Sequence, residues 1–299
     1  MSDRNTGVQF PSKIGVWWNS EAWPIRAAQD IARDIEALGF GSLFMPEGGG
    51  KDALVESAAF LAATDRLVVG TGIANIHVRI PTAAESGGRI LSALHPGRFV
   101  LGLGVSHGPF VEQLGGAAYR KPLATMRTYL ERMDALAPEI EPGARPLRLL
   151  AALGPKMIEL SGEHADGAHP YLVTPQQTQV TRAILGPDRW IVTEQAVAIG
   201  GDSEDQLRRA HDHLTMSSTL PNYRNSWLRQ GFDESDLVTG GSDRLARALV
   251  GVGSADDAAA ALTAHLDAGA DHVVVQVLAD TPATDPRHAL RELAKALQL

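Results

Sequence analysis

Apolar runs of β type recur along the chain, separated by stretches whose apolar residues return every three to four positions. KIGVWW (13–18) is the first run, and IARDIEALGF follows it with Ile31, Ile35 and Leu38 on one helix face. GSLFMPE (41–47), LVVGTGI (67–73) and RFVLGLG (98–104) come next. Helical patterns follow each of them: DALVESAAFLAATD, the glycine-weakened ESGGRILSAL and KPLATMRTYLERMDAL. The second half repeats the theme with PLRLLAAL (146–153), ADGAHPYLV (165–173), WIVTEQAVAIG (190–200) and HVVVQVL (272–278). GPKMIELSGEH follows the fifth run, and TPQQTQVTRAIL, after the sixth, opens at a threonine cap with proline in the first helical position. The strands are nearly continuous in apolar character, the pattern of a parallel sheet covered by helices.

Eight βα units in series predict an α/β fold, a closed (β/α)8 TIM barrel made by a single domain over residues 1–299. A doubly wound open sheet is the competing arrangement, because counting strands does not show closure. Residues 202–253 are too many for one βα connection. A charged helix followed by LPNYRNSWLRQGF predicts an insertion near strand seven, lying over the barrel mouth.

Composition narrows the function. A net charge of -8 opposes a nucleic-acid partner, which needs a basic face. With no cysteine, disulfides, thiolate metal sites and cysteine nucleophiles are excluded together. MSDRNTGVQF lacks the apolar core of a secretory signal, and no apolar run approaches the ~20 residues that span a membrane. These features predict a cytoplasmic protein with a small-molecule partner and no membrane contact. No G-x-G-x-x-G follows the first strand, and H-E-x-x-H and G-x-S-x-G are absent, so no metal centre is predicted.

In a βα barrel, ligands sit at the C-terminal ends of the strands. Gly72, Ile73, Asn75 and His77 follow the third run, and Gly104, Ser106 and His107 follow the fourth. His107 is suited to proton transfer near neutral pH, or else to bonding a loop carbonyl. Glu47, before three glycines, is either a ligand contact or a loop-ordering acid. Glu194, mid-strand, must be paired if buried, inside the barrel or against a ligand. The turn Leu153-Gly154-Pro155-Lys156 reads as an anion site at a helix N-terminus, or simply as a turn. Trp17, Trp18 and Trp23 crowd the exit of the first strand, while Tyr223 and Trp227 lie in the insertion, an arrangement suited to a flat apolar ligand. His164, His211, His213, His265 and His288 read as surface residues.

The segments GTGIANIHVR (70–79), LHPGRFVLGLGVSH (94–107), YRKPLATMRTYL (119–130), AALGPKMIEL (151–160), ADGAHPYLVTP (165–175), LPNYRNSWLRQGF (220–232) and DAGADHVVVQVL (267–278) carry a resemblance. The chain resembles the bacterial luciferase-like monooxygenase superfamily almost end to end, and within it an actinobacterial group that uses the deazaflavin coenzyme F420. The resemblance implies a barrel holding F420, or alternatively FMN, at its mouth. It implies a cis peptide at Gly72-Ile73 beneath the ring and Asn75 at the ring edge. Gly104, Ser106 and Tyr171 would join them, and Leu153, Gly154, Pro155 and Lys156 would hold the phosphate. Trp18, Trp23, Tyr223 and Trp227 would line the substrate side. For the acidic tail of F420 the resemblance leaves Arg79, Arg120, Lys121 and Lys156.

The chain departs from the sugar-phosphate dehydrogenases of that superfamily. Gly48 stands where they have a catalytic histidine, and His107 where they have a carboxylate, so their reaction is not expected here. The implied activity is hydride transfer between the deazaflavin and a small organic substrate, with His107 handling the proton and Glu47 orienting ring or substrate. An FMN-dependent monooxygenase using O2 and a non-catalytic F420- or flavin-binding protein are the alternatives. Apolar helices permit a homodimer.

Overall fold

The computed structural model describes residues 7–113, 119–137, 141 and 143–299. Its strands are β1 (Ile14–Trp17), β2 (Ser42–Met45), β3 (Val68–Thr71), β4 (Ala74–Asn75), β5 (Phe99–Gly104), β6 (Leu147–Leu150), β7 (Gly167–Ala168), β8 (Trp190–Ile199), β9 (Val250–Gly253) and β10 (His272–Val277). The ring runs β1-β2-β3-β5-β6-β7-β8-β10, and β10 closes it by pairing with both β8 and β1. Every pairing is parallel, so the eight apolar runs form a closed TIM barrel and the open-sheet alternative falls.

The helices α1 (Ile25–Ala37), α2 (Ala53–Ala63), α3 (Pro81–Leu94), α4 (Gly108–Gln113), α5 (Pro122–Leu136), α6 (Pro155–His164), α7 (Pro175–Leu185), α8 (Ser203–Ser217), α9 (Pro221–Arg229), α10 (Asp243–Leu249), α11 (Ala255–Asp267) and α12 (Arg287–Leu297) complete the fold. Each buries one stripe. In α1 the stripe is Ala28, Ile31, Ala32 and Ile35, as the 3.6-residue period requires.

Strand alternation divides the core into two layers. Trp17, Phe44, Val68, Val100, Leu147, Leu149, Val192 and Val274 fill the lumen. Val16, Leu43, Val69, Leu101 and Val273 face the helices. Burial of this kind contributes about 25 cal/mol per Å² of apolar surface and dominates the stability.

Two segments differ from the pattern. The sixth apolar run was read as a strand over 165–173, yet only Gly167–Ala168 pair as one. Pro170 has no N–H to continue a ladder, and Leu172 takes a left-handed φ of 53°. In the 202–253 segment, β9 pairs with the upper half of β8, on the edge opposite β10. The helices before it share an apolar cluster with the barrel: Leu214, Tyr223, Trp227, Leu245 and Leu249 pack with Leu172, Ala196 and Leu278. Among the described residues, no helix is long and apolar enough to cross a membrane.

Candidate functional site

At the C-terminal ends of the strands lies a cavity of about 460 Å³, within the usual range for small-molecule sites. Gly72 and Gly104 line it, from the ends of β3 and β5. The Gly72–Ile73 peptide is cis, and the Gly72 carbonyl accepts a hydrogen bond from Trp17 Nε1 at 3.0 Å. A Cβ on Gly72 would lie 2.7 Å from Trp17 Nε1 and 3.0 Å from His169 Nε2; one on Gly104 would lie 2.4 Å from Ile73 Cδ1. A side chain at Gly72 would strike the Trp17 and His169 rings and one at Gly104 would displace Ile73, so the two glycines leave a bare backbone shelf beside Ile73.

Glu47 organises that shelf. Its Oε2 accepts from the Asn75 N–H at 2.7 Å and from Arg79 Nη1 at 2.6 Å. Its Oε1 accepts from the Ala53 N–H at 3.1 Å and from Arg79 Nη2. Arg79 also reaches Asp52. The carboxylate therefore ties the end of β2 to the start of α2 and to β4. The expectation that Glu47 acts on ring or substrate is corrected in this respect: it lines the cavity, but both oxygens are already occupied. The same bonds remove Arg79 from the cations free to meet an acidic tail. Arg120 and Lys121 lie with Arg132 along a neighbouring groove, which Arg79 also lines.

On the facing side, the segment between β5 and α4 brings Ser106 and His107 to the wall, with Ser106 at a φ of 56°. The Tyr119 hydroxyl donates to the Ser106 carbonyl at 3.2 Å. The His107 ring stands 5.8 Å from Phe110 and 5.5 Å from Tyr223, centroid to centroid. Burial lowers its pKa, and a hydrogen bond with the Asn222 side chain works the other way. His107 is thus a neutral imidazole at physiological pH, exposed to the cavity and contacted from α9.

The remaining wall is polar without being charged. The Tyr171 hydroxyl donates to Gln276 Oε1 at 2.7 Å, and its ring lies 5.4 Å from Trp17. His169 bonds the Val192 carbonyl through Nδ1 at 2.6 Å, which leaves Nε2 without a partner among the described residues. Burial pushes His169 down to about 4. Glu194 is 1% exposed and, with no cation beside it among the described residues, burial pushes its carboxyl up to about 8. The expected charge pair is replaced by a neutral acid bonded to the Leu172 N–H at 3.1 Å.

Several expectations are corrected. Of the four aromatics assigned to the substrate side, only Tyr223 lines the cavity. Trp18 belongs to the helix-side core, because strand alternation turns Trp17 inward and Trp18 outward. Trp23 packs on Trp18 and reaches the Pro282 carbonyl at 3.3 Å. Trp227 is completely buried and donates to the Leu172 carbonyl at 3.1 Å. Leu153 and Gly154 reach the cavity, whereas Pro155 and Lys156 are exposed outside it. His265, read as a surface residue, is buried between Thr178 and Gln195, and His213 is half-buried beside Tyr171.

His169 and Asn222 are not expected from the sequence as site residues, and Trp17, noted there among the strand-exit aromatics, takes the place in the cavity expected of Trp18. Alternation along β1 was the available signal for Trp17, and the end of a barrel strand was the signal for His169. Nothing local marks Asn222, which reaches the site only through the packing of α9. Among the described residues, no group of three or more His, Asp or Glu is placed to hold a metal ion.

Residues 5–272 match the family model described as luciferase-like monooxygenase. A Mycobacterium tuberculosis protein whose name gives it as a coenzyme F420-dependent oxidoreductase is 29% identical over 201 residues, which is 57% of this chain and 57% of that one. The match thus spans a little over half of that relative's length. An F420-dependent secondary alcohol dehydrogenase solved with an F420–acetone adduct superposes with a TM-score of 0.78 at 14% identity, over 96% of this chain and 99% of its own. The oxygenating constituent of 3,6-diketocamphane monooxygenase from Pseudomonas putida, solved with FMN, superposes at 0.70 and 13% identity, over 94% and 96%. At these identities the two structures establish the fold.

Proposed function

The chain belongs to the luciferase-like monooxygenase family, and from that premise we propose that it is an F420-dependent oxidoreductase acting on a small organic alcohol or carbonyl compound. The observation that carries this reading is a neutral His107 facing the same cavity as the bare Gly72/Gly104 shelf. The F420-dependent relative supports the choice of cofactor. The shelf suits a flat ring, since no Cβ projects from either glycine, and Gly72, Ile73, Asn75, Gly104 and Ser106 would hold it. Leu153 and Gly154, at the start of α6, would hold the phosphate, with Tyr171 against the ring system. When bound, the deazaflavin supplies a two-electron hydride acceptor or donor.

The chain's own residues do the rest. His107 takes the proton of a substrate hydroxyl as hydride leaves the carbon, or returns one to a carbonyl oxygen in the reverse direction. Its depressed pKa keeps the imidazole free to accept at neutral pH. Phe110 and Tyr223 give that side of the cavity an aromatic lining beside His107. Glu47 and Arg79 hold the shelf in register without entering the chemistry.

The test is a titration of the purified protein with F420 and with FMN, followed by absorbance and fluorescence. Saturable F420 binding with no FMN binding agrees with the proposal; tight binding of FMN alone overturns it in favour of an oxygen-using flavin enzyme. With a turned-over alcohol in hand, His107→Ala lowers turnover by about 10²–10⁴-fold and leaves F420 affinity within about twofold. Unchanged turnover removes His107 from the mechanism.

A further inference from the structure

We infer that Glu194, together with Trp227, is the positioning residue that sets the Tyr171–Leu172 turn and thereby the polar wall of the cavity. This rests on the cofactor reading above for its functional consequence, and on geometry for the rest.

Leu172 is held from both sides by side chains belonging to two different elements. Glu194 Oε2, from the middle of β8, accepts from its N–H at 3.1 Å. Trp227 Nε1, from α9, donates to its carbonyl at 3.1 Å. Between these bonds Leu172 has a φ of 53°, a region that a leucine rarely enters. The preceding residue, Tyr171, lines the cavity and is fixed at its other end by Gln276 from β10. Releasing either bond to Leu172 frees the turn to relax, and Tyr171 moves off Trp17 and the shelf.

Val192 lies in the lumen cluster, so two residues further along the strand Glu194 also faces inward, against the Tyr171–Leu172 turn. Its Oε1 has no partner among the described residues. Among the described residues the titratable groups that feel it are Tyr171 and Tyr223, whose phenols burial also pushes up; His213, pushed down to about 4 by burial, lies behind Tyr171, 3.4 Å from its hydroxyl. Among the described residues Glu194 forms no ion pair with Arg or Lys. A neutral acid puts no uncompensated charge here; an ionised one leaves a buried charge that must draw water into the turn. Burial has already pushed Glu194 up to about 8, so ionisation falls within an accessible range.

The test compares wild type with Glu194→Gln and Glu194→Leu from about pH 6 to about pH 9.5, reading F420 affinity and the tryptophan fluorescence of the free protein. Trp17 and Trp227 both touch the turn, so fluorescence reports on it without a cofactor. Wild type should show a fluorescence step near pH 8 and a fall in affinity of about fivefold or more above it. Glu194→Gln, neutral at every pH, should abolish the step and keep neutral-pH affinity within about twofold. Glu194→Leu, which removes the acceptor, should weaken binding about tenfold at all pH values. Absence of the step in wild type, its survival in Glu194→Gln, or unaltered binding by Glu194→Leu overturns the inference. If Glu194→Leu fails to fold, the glutamine variant still decides. A step that vanishes in Glu194→Gln in a protein that binds no F420 upholds the turn assignment while the cofactor reading fails.

Discussion

Glu47 lines the cavity and Glu194 lies behind its Tyr171 wall, on different sides of the barrel, and both carboxyl groups are buried. Glu47 accepts two backbone N–H groups and a two-pronged Arg79, so its charge is compensated where it stands. Among the described residues Glu194 has one backbone N–H and no cation. One side of the mouth is therefore built from paired charges, and the other from neutral titratable groups: Glu194, Tyr171 and His169. Equal burial has produced opposite electrostatic solutions, because the partners within reach differ. The β2–β3 side should respond to loss of a partner, and the β7–β8 side to pH.

The largest effect that tests this contrast is Arg79→Met. It strands the Glu47 carboxylate and should cost about 3–5 kcal/mol of stability in urea denaturation. A loss under about 1 kcal/mol would show that the pair is not what holds this side. Adding Glu47→Gln should recover part of the loss, since the buried charge goes with it.

The second effect is acid sensitivity. His169, His265 and His272 are buried and held at about 4, 4 and 3, below their ordinary value. The unfolded chain binds protons below about pH 6.5 where the folded one does not. Their stabilisation is thus present above that pH and is lost as pH falls, by about 1.4 kcal/mol per pH unit for each histidine. Glu194 has the opposite sign. Its folded pKa is raised, so its contribution is full below about 4.5 and is lost as pH rises through about 8. Urea midpoints measured across this range should show His169→Asn flattening the acid slope by about one proton. A slope unaltered by that change would mean that His169 is protonated in the folded protein.

The smallest effect separates two tryptophans. Trp17→Phe removes the donor to the Gly72 carbonyl and should weaken cofactor binding about tenfold. Trp23→Phe should leave binding within about twofold, because Trp23 packs on Trp18 and Pro282 outside the cavity. Equal losses at the two positions would place the site nearer to the first strand's exit loop than the structure does.

Much of this architecture was legible in the residue pattern. Eight apolar runs with helices between them announced a parallel barrel, and the small or polar residues at Gly72, Asn75, Gly104 and His107 marked its working end, because strand ends are where side chains leave the packed sheet. The aromatic assignments went astray for a definable reason. Adjacent residues on a strand point to opposite faces, so Trp17 and Trp18 could not both face a ligand. Trp227 does meet Tyr223 one helical turn away, with 5.9 Å between ring centroids, but it is the deeper of the two, buried against Leu172, so only Tyr223 reaches the cavity. Lys156 was chosen for its charge, which a position on the outer side of the turn leaves in solvent.

The sequence by itself determined the periodicities, and with them the strands, the helices and the end of the barrel where chemistry belongs, because these follow from local geometry and the burial of apolar surface. Tertiary structure alone decided which long-range partners each polar group met. Arg79 lies 32 residues from Glu47, Leu172 lies 22 from Glu194, and Trp227 lies 55 from Leu172. Whether a buried carboxylate is a charge or a neutral acid depends on such neighbours. No local pattern encodes them; ring closure brings them together.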